Sequence, residues 1–98
     1  PLRGGKGWMY EGGIREPLLV RWPGVSRPGS VVSTPVSSPD FFPSFLEAAG
    51  VAPTPGQILD GRGLAPALRG ERTPERPLFW HYPHYGNQGG EPSSIISQ

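Results

Sequence analysis

The chain has 98 residues with a formal net charge of +1 at pH 7, and it contains 15 glycines and 14 prolines but only 35% apolar residues. This composition predicts a loop-rich chain with a small core, either a segment of a larger protein or a piece stabilised by association. The small charge argues against a nucleic-acid partner, the lack of cysteine excludes disulfides and thiolate chemistry, and no apolar run is long enough for membrane insertion.

The first half of the chain predicts two short strands. Residues 18–22 form a nearly continuous apolar run between two prolines, which is typical of a buried strand. Pro28-Gly29 indicates a turn. Val31, Val32 and Val36 then predict a brief second strand, which Pro35 restricts to a sheet edge.

The segment DFFPSFLEAAG predicts the main helix, about residues 40–49. Asp40 is a good N-cap, Pro43 falls at the third helical position, and Gly50 is a natural C-terminal cap. One apolar face is expected to cover the strand at 18–22, which gives an α/β arrangement, or α+β for these residues in isolation. Its members are Phe41, Phe42, Phe45, Leu46 and Ala49.

The second half predicts a long connection from Val51 to Gly63, followed by a helical turn at 64–68 with Pro66 in its first turn. Residues 77–80 predict a third strand. Residues 93–97 predict the beginning of another.

Lys6 has glycines on both sides, in Gly4-Gly5-Lys6-Gly7. Glycine flanks allow close backbone approach, and a lysine held this way brings three donors and a charge to an anion such as sulfate or phosphate. A solvated surface turn is the alternative. Arg15 lies between Glu11 and Glu16, and this spacing favours a local ion pair over a catalytic acid.

His81 and His84 lie in an aromatic cluster, WHYPHY. Pro83 forbids an ordinary helix there, and two histidines without a third ligand are weak evidence for zinc, so no metal site is predicted. The cluster either lines the mouth of a substrate pocket or packs between strand and loop.

Four blocks, in this order, resemble the carboxyl-terminal third of the arylsulfatase-like sulfatases of the alkaline-phosphatase superfamily. They are LRGGKGWMYEGGIREPLLVRWPG, TPVSSPDFFPSFLEAAG, LDGRGLAPALRG and RPLFWHYPHYGNQGG. The resemblance covers nearly the whole chain, and the Gly-Lys-Gly followed by YEGGIREP carries most of it.

The resemblance implies the carboxyl-terminal part of an alkaline-phosphatase-like sandwich in a sulfuric ester hydrolase. Residues 1–70 would end its catalytic α/β domain, and residues 71–98 would begin a small carboxyl-terminal subdomain. Lys6 would be catalytic and contact the sulfate of an aryl or carbohydrate sulfate ester. His81 and His84 would contact the leaving group.

The same resemblance implies two cofactors, calcium and a formylglycine nucleophile, both held by residues upstream of this chain. These 98 residues alone are therefore expected to be inactive. The family is periplasmic, secreted or lysosomal, although this segment itself does not indicate a compartment.

Two other interpretations remain open. The stretch from Pro77 to Pro83 could serve as a proline-rich ligand for an aromatic groove, which would require exposed prolines. The chain could instead be a structural piece with no binding of its own. Exposure of Phe41, Phe45 and Leu46 would favour self-association.

Overall fold

The computed structural model describes residues 1–82 and 93–97, with short elements joined by long loops. The elements are α1 (Glu11–Ile14), a 3-10 turn (Ser38–Asp40), α2 (Phe41–Ala49), α3 (Ala65–Leu68), β1 (Leu78–Tyr82) and β2 (Ser93–Ser97). None of the helices among the described residues is long and apolar enough to cross a membrane.

The chain forms two compact units. One contains Pro1–Leu19 and Glu75–Gln98, and the other contains Val20–Pro74. The boundary near residue 70 that the resemblance implies concerns the domains of a longer protein, and it stays a prediction.

A two-stranded antiparallel sheet confirms both carboxyl-terminal strands. In its register Leu78 lies opposite Ser97, and Tyr82 lies opposite Ser93. Because side chains alternate along a strand, β1 has two different faces. Leu78 is buried, whereas Phe79 and His81 are exposed.

The main helix is confirmed as α2, and it ends at Gly50 in the left-handed conformation (φ 64°). Its start differs from the prediction. A 3-10 turn begins at Ser38, and Asp40 has helical dihedral angles without capping its own helix through its side chain. The Asp40 carboxylate instead accepts hydrogen bonds from backbone N–H groups outside α2.

Asp40 is fully buried and binds two backbone N–H groups. Its Oδ2 accepts a hydrogen bond from Ser37 N–H at 2.8 Å, and its Oδ1 accepts one from Arg62 N–H, also at 2.8 Å. Next to it, the Ser44 hydroxyl donates to the Asp40 carbonyl at 2.6 Å and accepts from Leu64 N–H at 2.9 Å. We call these contacts the Asp40 brace, and they join the start of α2 to residues 62–64.

The long connection before α3 has no helix or strand between residues 51 and 63, as predicted. Its end lies close against α2 and the preceding turn. A Cβ at Gly61 would collide with the Pro39 carbonyl, and one at Gly63 would collide with the Glu47 carboxylate. The Glu47 side chain could move away from a Cβ at Gly63, whereas the Pro39 backbone could not easily do so, and the missing side chain at Gly61 therefore lets the brace close.

The helical turn after the connection is confirmed as α3, with Pro66 in its first turn. A proline is tolerated there because its missing N–H would have no partner within the helix. Leu64, Ala65 and Ala67 are buried and supply the apolar part of this unit's core.

The predicted strands at 18–22 and 31–36 are wrong. Neither segment has regular secondary structure, and Leu19 and Val31 are 96% and 94% exposed. The Ser26 hydroxyl instead accepts from Trp22 N–H at 2.9 Å and donates to the Trp22 carbonyl at 3.1 Å, closing a turn. Pro35 removes a backbone donor within the second segment.

The predicted packing of α2 is also wrong. Phe42 and Phe45 are 48% and 68% exposed, and the Phe45 ring contacts Phe41 with centroids 6.5 Å apart. The buried positions are Pro43 and Ser44, on the side of the brace. Without a strand at 18–22, the helix is held through polar contacts. Self-association through the exposed phenylalanines stays a prediction.

A pair of exposed charges follows α3. Arg69 Nε donates to the Glu71 carboxylate, and this hydrogen bond raises the pKa of Arg69 and lowers the pKa of Glu71. Because the pKa of Glu71 is lower in the folded state, its small contribution to stability is present above its unfolded pKa. That contribution is lost as the pH falls through the folded pKa.

Replacing Asp40 should destabilise the protein strongly. Asp40→Ala leaves the N–H groups of Arg62 and Ser37 without their charged acceptor, and hydrogen bonds to charged groups contribute about 1.5–3 kcal/mol each. We expect a loss of roughly 3 kcal/mol or more in the free energy of unfolding, measured with denaturant. Asp60→Ala, at an exposed carboxylate in the same unit, is the control. Equal effects of the two variants would contradict the role of the brace.

Candidate functional site

Lys6 occupies the tip of a tight turn. Trp8 N–H donates to the Gly5 carbonyl at 3.0 Å, so Lys6 and Gly7 are the two central residues. Gly7 has φ 93°, and a positive φ at the third position of a turn is typical of type II geometry, which favours glycine. The Lys6 side chain is exposed.

The turn of residues 5–8, which we call the lysine turn, lies against α1. Gly12 N–H donates to the Arg3 carbonyl at 2.9 Å. A Cβ at Gly12 would lie 2.5 Å from the Gly4 oxygen and 2.6 Å from the Arg3 oxygen. A Cβ at Gly13 would lie 2.6 Å from the Gly5 oxygen and would collide with the Trp8 carbonyl. The backbone of the turn therefore lies directly against two glycines.

The sequence analysis predicts no helix at residues 11–14, where the structure has α1. Two successive glycines disfavour a helix locally, so no helical signal was present. The glycine pair itself was the usable signal, because it indicates close approach of another part of the backbone.

Three cationic side chains lie between residues 3 and 15, and two of them are engaged. The Arg3 guanidinium lies 3.9 Å from the centroid of the Tyr10 ring, a cation–π contact. Arg15 pairs with Glu11 at 2.7 Å, which confirms the predicted local ion pair. Among the described residues, the Lys6 ammonium has no ion-pair or hydrogen-bond partner. It is therefore available to an anionic ligand.

An aromatic pair stands beside the turn. The Trp8 and Tyr10 rings are stacked with centroids 6.1 Å apart and an angle of 23° between their planes. Trp8 keeps 39% and Tyr10 keeps 40% of its surface exposed. The sequence analysis does not single out Trp8, although the sequence places this aromatic residue two positions after the glycine-flanked lysine.

The structure describes one of the two predicted histidines. His81 is exposed on β1, with Ser94 opposite it in the sheet, and it belongs to the same compact unit as Lys6. His84 lies outside the described residues. Within 1–82 and 93–97, no group of three or more His, Asp or Glu side chains could hold a metal ion.

The proline-rich alternative is not favoured. Residues 78–82 after Pro77 form a paired strand, and Leu78 is only 6% exposed. A ligand for an aromatic groove would instead present a free polyproline helix.

The chain matches a known family over most of its length. Residues 5–92 match the family described as N-sulphoglucosamine sulphohydrolase, C-terminal. This range includes Lys6, α2 and both predicted histidines.

Curated relatives carry sulfatase names. A sulfatase of Formosa agariphila is 44% identical over 98% of this chain. Arylsulfatase A of Homo sapiens is 47% identical over 89% of the chain, and steryl-sulfatase of Mus musculus is 46% identical over 83%. The chain spans only 18%, 17% and 13% of the lengths of these three proteins, respectively.

Adding one methyl group at Gly13 should disturb the lysine turn. Gly13→Ala forces the turn's carbonyls away from α1, and overpacking of this kind costs about 1–3 kcal/mol of unfolding free energy. Gly5→Ala is the matched control in the same turn, because a Cβ there meets nothing within 4 Å. Denaturant unfolding of both variants tests this expectation. If Gly5→Ala is as destabilising as Gly13→Ala, the close approach is not what holds the turn.

Proposed function

The chain belongs to the sulfatase family, and on that premise we propose that it is the carboxyl-terminal part of an enzyme that hydrolyses sulfate esters. In this proposal Lys6 contacts the sulfate group, and residues of the same unit contribute to the substrate pocket. The proposal includes an alkaline-phosphatase-like fold for the whole enzyme. These 98 residues would be inactive by themselves.

One observation carries the proposal: Lys6 is an unpaired ammonium on a turn that the backbone holds in place. Arg3 and Arg15 have partners in the same loop, whereas Lys6 has none among the described residues. The close contact of the turn with Gly12 and Gly13 fixes the backbone at the base of the side chain. The lysine therefore starts from a defined position, and less flexibility has to be lost when it binds an anion.

The chemistry of sulfate esters suits such a group. When the bond between sulfur and the leaving oxygen breaks, negative charge increases on that oxygen and remains spread over the other sulfate oxygens. An ammonium that donates hydrogen bonds to these oxygens stabilises the transition state, and it does so most strongly where water is excluded. Lys6 would act through its position and charge, without transferring a proton.

Calcium and the formylglycine nucleophile are proposed to belong to upstream residues of the whole enzyme. Calcium, when bound, would supply the Lewis acid, and the formylglycine residue would supply the group that attacks sulfur. The described residues bring no three His, Asp or Glu side chains together, so they provide no carboxylate cluster for calcium. We therefore assign no step through the ion to this chain.

The two histidines are proposed to contact the leaving group. His81 is exposed on β1 and belongs to the unit that contains Lys6. An imidazole can accept or donate a hydrogen bond at neutral pH, which suits an alcohol or phenol oxygen.

Removal of the ammonium should abolish most of the activity. In the intact enzyme supplied with calcium, we expect Lys6→Ala to lower kcat for an aryl sulfate by about 100-fold or more, because a donor to developing charge is lost. Lys6→Arg keeps the charge but changes its geometry, and its kcat should lie between the values of the unchanged enzyme and Lys6→Ala.

The control removes a different cation. Arg27→Ala deletes an exposed charge on a turn of the other unit and should leave kcat unchanged. If Lys6→Ala keeps full activity and a normal melting temperature, Lys6 is only part of a surface turn.

Replacing both histidines should change the choice of substrate. We expect His81→Ala combined with His84→Ala to alter the ratio of kcat/KM values for two sulfate esters that differ only in their leaving group. Steady-state kinetics of the intact enzyme on both esters gives this ratio. An unchanged ratio would rule out leaving-group contacts.

A further inference from the structure

Trp8 is an exposed aromatic residue that has no role in the proposed reaction. It closes the lysine turn through its N–H, and only Gly7 separates it from Lys6. Two residues apart along the chain, their Cα atoms are at most about 7.6 Å from each other, since consecutive Cα atoms are 3.8 Å apart. The two side chains therefore begin at neighbouring backbone positions on one tight turn.

The Trp8 side chain is also held in one orientation. Its ring stacks on Tyr10, with centroids 6.1 Å apart. A Cβ built on Gly4 would lie 3.1 Å from the Trp8 Cβ and 3.4 Å from its Cγ, so the base of the indole packs on the backbone of Gly4. Tyr10 is itself in contact with the Arg3 guanidinium. An aromatic surface fixed in this way loses little rotamer entropy when a ligand packs on it.

The indole nevertheless keeps 39% of its surface exposed. A large, rigid, partly exposed aromatic beside an unpaired cation is suited to a ligand with an anionic group next to a flat apolar face. A sulfate carried on a ring has this chemistry, because only the sulfur and one bridging oxygen separate its negative oxygens from the ring.

We propose that Trp8 is a specificity-determining residue that packs against the ring of a cyclic sulfate ester while Lys6 holds its sulfate. This inference rests on the proposed function of Lys6. It extends that function by selecting ring-bearing esters, aromatic or sugar, over acyclic alkyl sulfates. Trp8 takes no part in breaking the bond.

The test uses the intact enzyme and three probes: an aryl sulfate, a monosaccharide sulfate and an acyclic alkyl sulfate. For Trp8→Ala we expect kcat/KM to fall about 3- to 10-fold for at least one ring-bearing ester, as the loss of one aromatic contact predicts. The value for the alkyl sulfate should stay the same. Trp8→Phe, which keeps a ring on Tyr10, should restore most of the loss. The two ring-bearing probes show whether the aromatic or the sugar ring is preferred.

Inhibition by inorganic sulfate separates the two proposals. It should be unchanged in Trp8→Ala, because sulfate has no ring, and weakened in Lys6→Ala. An equal fall for all three esters, or no fall for either ring-bearing ester, would overturn the role of Trp8. Unchanged inhibition in Lys6→Ala would instead overturn the proposed function of the lysine.

Discussion

One buried carboxylate organises residues 20–74. Asp40 uses its two oxygens on two backbone N–H groups, and one of them belongs to Arg62, which is 22 positions further along the chain. A buried charge is costly unless it is paired or well hydrogen-bonded, and here the backbone supplies that stabilisation. Since the buried apolar residues of this unit are one leucine, two alanines and one proline, the Asp40 brace takes over much of what hydrophobic packing does in larger domains.

The lysine turn follows a related rule in the other unit. Its position is set by carbonyl groups lying against Gly12 and Gly13 and by backbone hydrogen bonds. The charged side chains nearby have separate tasks: Arg15 pairs with Glu11, and Arg3 stacks on Tyr10. The Lys6 ammonium has no partner among the described residues, so its charge is not part of this scaffold. Backbone atoms thus hold the loop in place, and the charged side chains make separate contacts.

Local signals in the sequence were sufficient to predict the elements that begin or end at a glycine or proline. The apolar periodicity and Gly50 predicted α2, Pro66 predicted the start of α3, and the apolar run after Pro77 predicted β1. The glycine flanks of Lys6 predicted its turn. Elements that depend on partners distant in sequence were mispredicted: residues 18–22 look like a buried strand only if another strand pairs with them. Likewise, nothing near Asp40 in the sequence indicates that its acceptor oxygens bind Arg62.

When backbone contacts hold a loop, side chains that make none of those contacts can be substituted and the loop keeps its position. The atoms that hold the lysine turn are carbonyls and N–H groups, which almost every residue possesses, whereas the Trp8 indole is not one of these backbone contacts. A substitution at Trp8 therefore changes the aromatic surface of the loop and keeps the backbone hydrogen bond that closes the turn. At Gly12 or Gly13, in contrast, any side chain would meet backbone carbonyls in the turn or just before it, so a substitution there would displace the turn itself.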